Sequence, residues 1–242
     1  MPKARKEKFK EGKEKFKTKH GVFDDFTNRT IFKLITEGHF KGLESPINIG
    51  KESNVFSAIT GRGSRVIVKI YRLETCDFNL MYDYIKDDPR YMKLKRKRRR
   101  IIFAWVQREY RNLMNAREAQ VSVPIPITFA NNVLVLESIG KNRLIAPMLK
   151  DSIPKNKKLF FDKIMDNIRK LYKSGLVHAD LSAFNILNFN ETPIFIDMSQ
   201  ATLQRHPRAE EFLERDVKNI CNFFNKKGLK VSEESAMKKI KK

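Results

Sequence analysis

The stretch LVHADLSAFNILNFNETPIFIDMS, residues 176–199, sets a few polar side chains among apolar runs. His178, Asp180, Asn185 and Asp197 stand at the ends of segments that have the composition of buried strands. Burying a carboxylate without a partner is costly, so ordinary core strands rarely carry this pattern. The stretch therefore predicts a functional loop at the edge of a rigid core.

The residue types and their spacing match the needs of phosphoryl transfer. A carboxylate such as Asp180 can orient an acceptor hydroxyl or water and accept its proton. Asn185 and Asp197 offer the hard oxygen ligands that Mg²⁺ on nucleotide phosphates prefers. We therefore predict Asp180 as the catalytic base and Asn185 and Asp197 as the metal ligands. Taken singly, each piece is equally explained by strand-terminal Asp and Asn residues that form turns.

The upstream half of the chain supplies a matching cation and anion. Lys69 ends the strand-like VIVK, where protein kinases place the lysine that contacts the α- and β-phosphates. Glu109 follows in WVQREYRNL, inside a predicted long helix, and suits the ion pair that holds such a lysine. A lone strand lysine is usually a solvated edge charge. Here Lys69 precedes a helix glutamate and a His-x-Asp loop along the chain, in the order found in protein kinases, and this order favours the functional interpretation.

The periodicity predicts strands before residue 140 and helices after it. We expect an amphipathic helix that ends at Gly38, strands in 46–50, 54–60 and 65–72, and a long helix over 101–120. A hairpin is expected over 121–140, and a short one around the turn at 190–192. The predicted C-terminal helices span 159–175 and 210–228, the latter being the last. Two lobes joined near Glu137–Gly140 follow from this order.

Charge and cysteine content limit the classes of protein. The net charge is +22, and most of it lies in residues 1–20, 90–100 and 226–242. Clusters of this kind indicate a polyanionic partner, above all nucleic acid, although basic tails can also serve solubility alone. Two isolated cysteines form neither a disulfide framework nor a zinc site. A reducing cytoplasm is therefore the expected location. No apolar run reaches the roughly 18 residues that a membrane span needs.

Taken together, these motifs resemble the RIO atypical serine/threonine protein kinases, type-1 subfamily, over about residues 22–225. The resemblance rests on NIGKESNVF (48–56), VIVKIYR (66–72), WVQREYRNLMNA (105–116) and VLVLESIGKNRLIAPMLKD (133–151). The most specific part is LVHADLSAFNIL with IDMSQA, residues 176–187 and 196–201. The short tails resemble archaeal, minimal members of the family.

The resemblance implies an α+β fold, namely a bilobal kinase-like fold with a β-rich N-lobe and a truncated helical C-lobe. Expected segments are a basic tail over 1–22, an N-terminal helix and N-lobe over 23–139, a C-lobe over 140–225 and a basic tail over 226–242. A flexible basic insertion is expected at about 75–100. Only 45 residues of this sequence follow Asp197, so a peptide-binding lobe is not expected.

The same resemblance assigns the cofactor site. Backbone groups at Gly50, with Lys51 or Ser53, are expected to hold phosphate, because the loop has one glycine rather than three. Candidates for adenine contact are the following: Val55 and Ile67 above the ring, Leu187 and Ile196 below it, and backbone groups of Glu137 and Ile139. For each apolar member of this set, plain core packing remains the alternative.

The implied function is an ATP- and Mg²⁺-dependent kinase or ATPase in small-ribosomal-subunit maturation, with Mn²⁺ as an alternative metal. Expected partners are ATP, the pre-ribosomal small subunit with its rRNA, and a Ser/Thr acceptor on a protein, this chain included; no membrane is expected. One alternative is a non-catalytic ATP- and rRNA-binding assembly factor. Another is a small-molecule phosphotransferase, which normally adds an acceptor-binding helical domain after the metal aspartate.

Overall fold

A five-stranded antiparallel sheet and a set of helices form two lobes in the computed structural model, which describes residues 23–141 and 144–242. The predicted tail 1–22 lies outside the described residues. The helices are α1 (Asp25–Thr36), α2 (Phe78–Ile85), α3 (Arg98–Glu118), α4 (Lys157–Lys173), α5 (Ala209–Lys226) and α6 (Glu233–Lys241). The strands are β1 (Leu43–Ile49), β2 (Ser53–Ile59), β3 (Arg65–Tyr71), β4 (Pro126–Ala130), β5 (Val133–Glu137), β6 (Gly140–Lys141), β7 (Leu144–Ile145), β8 (Leu176–Val177), β9 (Ile186–Phe189), β10 (Thr192–Phe195) and β11 (Thr202–Leu203).

The sheet of the N-terminal lobe has the order β1-β2-β3-β5-β4. Lys69 of β3 pairs with Val55 of β2 and with Leu134 of β5, and opposite residues of an antiparallel pair share one face. The α+β, kinase-like fold expected from the sequence is confirmed. The strand expected from residue 121 begins only at Pro126, which fits proline's missing N–H and its place at strand starts.

Each face of this sheet packs against a different helix. Ile31 and Leu34 of α1 join Phe56 and Val68 in a core behind the sheet. The opposite face, which carries Lys69, looks towards α3 and the larger core shared with the C-terminal lobe. Burying each such large apolar side chain contributes about 1.5–3 kcal/mol. The sheet is therefore a rigid platform on which the Lys69 face is held against α3.

The segment expected to be a flexible insertion is instead folded against the large core. Helix α2 buries Met81 and Ile85, and a short 3₁₀ turn over Pro89–Tyr91 buries the tyrosine ring. Helix α3 begins at Arg98, inside the basic run rather than after it. The apolar positions of this segment are interleaved with charges, which concealed its packing in the sequence.

The prediction that 210–228 is the last helix is wrong, because α6 follows within the expected basic tail. Ser232 caps α6 by accepting a hydrogen bond from Ser235 N, and Ala236 and Ile240, four residues apart, are buried. Helix α6 packs on α4 and α5. Its lysine-rich outer face hid this apolar pair. None of the helices in the described ranges combines the length and apolar character needed to cross a bilayer.

Candidate active site

The β9–β10 hairpin explains the twelve-residue spacing between Asn185 and Asp197. Its two turn residues, Asn190 and Glu191, both have positive φ, 50° and 58°, as a type I′ turn requires. The hairpin pairs Ile186 with Phe195, so the residues just outside it meet. Ile196 N donates to Asn185 O at 2.9 Å. The loops that carry Asn185 and Asp197 are therefore adjacent.

Lys69 joins the two lobes at this point. Its Nζ lies 2.8 Å from Glu109 Oε1 and 2.8 Å from Asp197 Oδ1. Tyr71 donates its hydroxyl to Glu109 Oε2 at 2.6 Å, so both oxygens of this fully buried carboxylate are bonded. The Lys69–Glu109 ion pair expected from the sequence is present. The third member, Tyr71, was not foreseen.

Asp180 and Asp197 have opposite pKa shifts. Although desolvation opposes it, the Lys69 ammonium and hydrogen bonds from Lys69 and Ser199 lower the pKa of Asp197 to about 2. Burial, together with the negative charge of Asp197, raises the pKa of Asp180. Despite its own burial, Lys69 has a raised pKa because Asp197 and Glu109 surround it. The site thus keeps one carboxylate firmly ionised and gives the other greater basicity.

Asp180 and Asn185 are held together within the catalytic loop, residues 178–185. Asn185 Nδ2 donates to the backbone oxygen of Asp180 at 2.8 Å and to its Oδ2 at 3.2 Å. Gln200 Nε2 lies 3.4 Å from the same Oδ2. The amide nitrogen of Asn185 is therefore engaged within the loop, and its oxygen is the atom of the side chain that could accept a ligand.

The oxygen atoms of Asn185 and Asp197 that remain available fit a nucleotide-bound divalent ion. Lys69 and Ser199 occupy Asp197 Oδ1, which leaves Oδ2 as a ligand atom. Across residues 23–141 and 144–242, no group of three or more His, Cys, Asp or Glu side chains could hold a metal by itself. Two hard oxygen donors from Asn185 and Asp197 fit an Mg²⁺ ion that takes its other ligands from phosphates and water.

Asp216 of α5 is a buried residue of this site that the sequence interpretation missed. Its carboxylate accepts from Ala179 N at 2.8 Å and from Leu181 N at 2.7 Å, on either side of Asp180. Burial raises its pKa to about 7, against the effect of these hydrogen bonds. A signal existed, since Asp216 falls on the apolar stripe of α5 that includes Phe212, Leu213 and Ile220. Asp216 fixes the backbone that presents Asp180.

His178 braces the backbone next to Asp197. Its Nε2 lies 3.2 Å from Ile196 O, and its ring packs edge-on against Phe195. Burial lowers the pKa of His178 to about 4, so the ring is neutral near pH 7. A neutral ring with one nitrogen on a carbonyl is a structural brace.

The predicted phosphate loop is a tight turn between β1 and β2. Gly50 N donates to Ser53 O at 3.0 Å, and a Cβ at Gly50 would approach that oxygen to 3.0 Å. Thr75 Oγ1 donates to Lys51 O at 2.7 Å, and Cys76 Sγ to Glu52 O at 2.9 Å. The carbonyls of the turn are therefore held from the segment after β3. Among the described contacts, none joins the side chain of Lys51 or of Ser53 to Asp180 or Asp197.

The residues proposed for adenine line the two sides of the same region. Val55 and Ile67 are partly exposed on the Lys69 face of the sheet, whereas Leu187 is 7% exposed on β9. Between the lobes, Glu137 N donates to Ile125 O at 2.8 Å, and Ile125 N donates to Glu137 Oε2 at 3.0 Å. The carbonyl of Ile139 accepts from Ala146 N at 2.9 Å.

The fold and this arrangement define the class of protein as a protein kinase. Kinases share three parts with this chain: a lysine held by a helix glutamate, a loop with Asp and Asn, and an acidic loop after the next hairpin. A family model, described as the RIO domain, matches residues 54–237. The chain therefore belongs to the RIO family and is of the Rio1 type. Family membership implies ATP and a divalent cation as cofactors.

Named relatives agree with this placement. The chain is 40% identical over 215 residues to the RIO-type serine/threonine-protein kinase Rio1 of Haloferax volcanii, covering 89% of this chain and 74% of that protein. The protein of the same name from Methanocaldococcus jannaschii is 43% identical, with 88% and 73% covered. Among solved structures, a Rio2 kinase–ADP/Mg²⁺–phosphoaspartate complex from Chaetomium thermophilum is 26% identical with a TM-score of 0.66, and the match covers 88% of this chain and 65% of that one.

Proposed function

We propose that this chain transfers the γ-phosphate of ATP, in the presence of Mg²⁺, to a Ser/Thr hydroxyl or to water. The observation that carries the proposal is Lys69 Nζ, which lies 2.8 Å from both Glu109 and Asp197. This contact supports the proposal, because the α- and β-phosphates of ATP need a cation beside the carboxylate that is proposed to bind the metal. Mn²⁺ satisfies the same oxygen donors and is the alternative metal.

Asp180 is the proposed catalytic base. Burial and the neighbouring charge of Asp197 raise its pKa, which increases its ability to accept a hydroxyl proton. Asn185 and Asp197 are the proposed Mg²⁺ ligands, and the ion would neutralise charge that develops on the transferred phosphoryl group. Gly50, Lys51 and Ser53 are proposed to hold phosphate, mainly through the backbone of the turn.

Adenine is proposed to lie between the sheet and β9. Val55 and Ile67 would cover one face of the ring, and Leu187 and Ile196 the other. The carbonyl of Glu137 and the N–H of Ile139 would bond the ring edge, since their complementary groups already have backbone partners. The proposed cytoplasmic location rests on the family and on the free cysteines, Cys76 and Cys221.

The proposed partner is the pre-ribosomal small subunit with its rRNA. The eight basic residues of 90–100 carry no intervening acid, and seven of them are exposed: Lys93, Lys95, Arg96, Lys97, Arg98, Arg99 and Arg100. Some of these side chains also support the fold. Arg96 Nη2 donates to Asn79 Oδ1 at 3.0 Å, and Arg98 bonds the carbonyls of Glu74 and Cys76. Exposed positive charge without acid is the footprint of phosphate-backbone binding.

The reaction is tested by transfer from γ-³²P-ATP, with wild type, Asp180→Ala and Asp197→Ala, and with small-subunit particles present or absent. Label on protein that depends on Asp180 supports a kinase, and hydroxylamine treatment separates an acyl phosphate on aspartate from a Ser/Thr phosphate. Particle-stimulated phosphate release without stable label supports an ATPase. Absence of any Asp180-dependent turnover would overturn the catalytic proposal and leave a nucleotide- and RNA-binding assembly factor.

RNA binding is tested with residues that carry charge but none of the anchoring contacts given above. Neutralising Lys93, Lys95, Lys97 and Arg100 to Gln should reduce the slope of log affinity against log salt by about 3, from roughly 0.7–0.9 per lost phosphate contact. The matched control neutralises four exposed basic residues elsewhere: Lys33, Lys41, Arg169 and Lys173. An equal loss in both sets would show general charge attraction rather than a site.

A further inference from the structure

The backbone that follows Asp197 is held by two buried side chains of α3. Arg108 Nη1 donates to Ser199 O at 2.9 Å. Asn112 Nδ2 donates to Met198 O at 3.0 Å and to Ala201 O at 2.7 Å. Both α3 side chains have an exposed fraction of 0%. Two residues thus fix three carbonyls of the four-residue segment 198–201.

Asp197 itself has a backbone conformation that needs such support. Its φ is 60°, in the left-handed region that residues other than glycine rarely occupy. Residues held in this region persist where the surrounding structure determines them. Ser199 Oγ donates to Asp197 Oδ1 at 2.7 Å, and Ser199 O is the atom that Arg108 bonds. The contacts to α3 therefore act on the turn that aims the carboxylate.

A second pair of residues balances and orients this support. Asp88, 3% exposed, lies 3.5 Å from Arg108 Nε and accepts several hydrogen bonds from Arg90. The Arg90 guanidinium also donates to Asn112 Oδ1 at 3.2 Å. With its oxygen so occupied, the amide group of Asn112 must present its nitrogen to the carbonyls. Asp88 provides the counter-ion without which a buried guanidinium is strongly destabilising.

We propose that Arg108 and Asn112, with Asp88 as counter-ion, are positioning residues that hold Asp197 in its metal-binding orientation. The inference rests on the proposed function, because it takes Asp197 to be a ligand of the divalent ion. Since Glu109 lies between these side chains on α3, one helix sets both the Lys69 ammonium and the Asp197 carboxylate. Removing outer-shell partners of a metal ligand typically costs 10–100-fold in metal affinity.

The test measures how much Mg²⁺ strengthens nucleotide binding, as the ratio of the ATP dissociation constant in EDTA to that in Mg²⁺, by calorimetry. Asn112→Leu and Arg108→Met should lower this ratio at least tenfold, while the constant in EDTA changes by less than about twofold. Arg108→Lys should restore part of the ratio, because an ammonium can still donate to Ser199 O. Mn²⁺ binding followed by electron paramagnetic resonance gives an independent readout.

Asn167→Leu is the matched control. Asn167 lies on α4 and is also a buried helix asparagine, 4% exposed. Its Oδ1 accepts a hydrogen bond from Ser122 N at 3.3 Å, and no described hydrogen bond joins it to segment 198–201. It should lower the melting temperature and keep the metal ratio. If Arg108→Met does not fold, Arg90→Gln decides. This variant removes the groups that orient Asn112 and the ion pair to Asp88, leaves Arg108 and Asn112 themselves in place, and should give an intermediate loss of the metal ratio.

Separate outcomes distinguish this inference from the proposed function. If Asp197→Asn lowers the ratio of dissociation constants to about one while the Arg108 and Asn112 variants keep the wild-type ratio, only the positioning inference fails. If Asp197→Asn keeps the full ratio, the metal assignment itself fails. Equal losses of ATP affinity with and without Mg²⁺ in the α3 variants would show general damage and would also overturn the inference.

Discussion

The loop of Asp180 and the loop of Asp197 are held by different sets of buried side chains, which come from two different helices. Each contains a non-glycine residue of positive φ, Ala179 at 64° and Asp197 at 60°. The first loop is held from α5 by an acceptor and by donors: Asp216 accepts from two backbone N–H groups, and Arg215 and Asn219 donate to the carbonyls of Ala179 and Leu181. The second is held by donors, Arg108 and Asn112, which bond three carbonyls. Strained backbone is thus stabilised by whichever groups the turn leaves unpaired.

The two supports also come from different lobes. Asp216 lies on α5 of the C-terminal lobe, whereas Arg108 and Asn112 lie on α3, which packs against the N-terminal sheet. A displacement of α3 would therefore move Asp197 and Lys69 together while leaving Asp180 in place. We therefore expect Asp180, the proposed base, and Asp197, the proposed metal ligand, to be positioned largely by different helices. The predictions for Asp180, Asp216 and Ser199 test this division.

The largest expected effect is on turnover by Asp180→Asn. Loss of a general base typically lowers kcat about 10²–10⁴-fold. Because Asp197 has its own support and Asn185 keeps its hydrogen bond to the backbone oxygen of Asp180, the strengthening of ATP binding by Mg²⁺ should fall far less than turnover. Steady-state kinetics with parallel calorimetry measure both quantities. Loss of the metal effect in this variant would show that the two loops are not independent.

The pH dependence of stability should report His178. Its pKa is about 4 in the folded protein against an ordinary value of 6.5, so between these values the unfolded chain binds the proton and the folded one does not. The neutral His178 ring therefore contributes up to about 3 kcal/mol to the free energy of unfolding above pH 6.5, and this contribution is lost as the pH falls towards 4.

Comparison with His178→Gln isolates this contribution, because Gln can still donate to Ile196 O. Urea unfolding of both proteins cancels the opposite effect of Asp216, whose raised pKa makes stability fall as the pH rises to about 7. The stability difference between wild type and variant should narrow from pH 6.5 to 4. A constant difference would contradict the neutral, buried ring.

Asp216→Asn should lower the free energy of unfolding by about 1–3 kcal/mol, because one of two buried N–H groups loses its acceptor. Turnover should fall, since the displaced backbone carries Asp180. Urea titration and kcat measurement check this result, and the Mg²⁺ effect on ATP affinity should persist. If that effect falls as far as in Asn112→Leu, the division of labour between α5 and α3 is wrong.

The smallest expected effect is that of Ser199→Ala. It removes one hydrogen bond to Asp197 Oδ1 but leaves the Lys69 contact and the carbonyl bond from Arg108. Mg²⁺ affinity in the nucleotide complex should weaken about two- to tenfold, which corresponds to one net hydrogen bond of about 0.5–1.5 kcal/mol. A loss as large as that of Arg108→Met would place the positioning role in the hydroxyl rather than in α3.

The parts of the site that lie within one local unit were predictable from the sequence. Asn185 and Asp197 flank a hairpin whose turn and strands can be predicted from the sequence. Their proximity then follows from the antiparallel pairing of the two strands. Lys69 and Glu109 were predictable because each stands on a strongly patterned element in kinase order. The α2 packing and the α6 helix were missed, since lysines and arginines cover their apolar positions.

The sequence by itself determined the local motifs: the Lys69 strand, the Glu109 helix, the Asp180–Asn185 loop and the hairpin before Asp197. These depend on neighbours within a few residues, where propensity and spacing are decisive. Only the tertiary structure decided which distant side chains would hold the strained loops. Arg108 and Asn112 meet residues 198–201 almost ninety positions away, and Asp216 meets Ala179 across 37. Such contacts arise because buried backbone groups need a partner, and packing alone determines which helix can reach them.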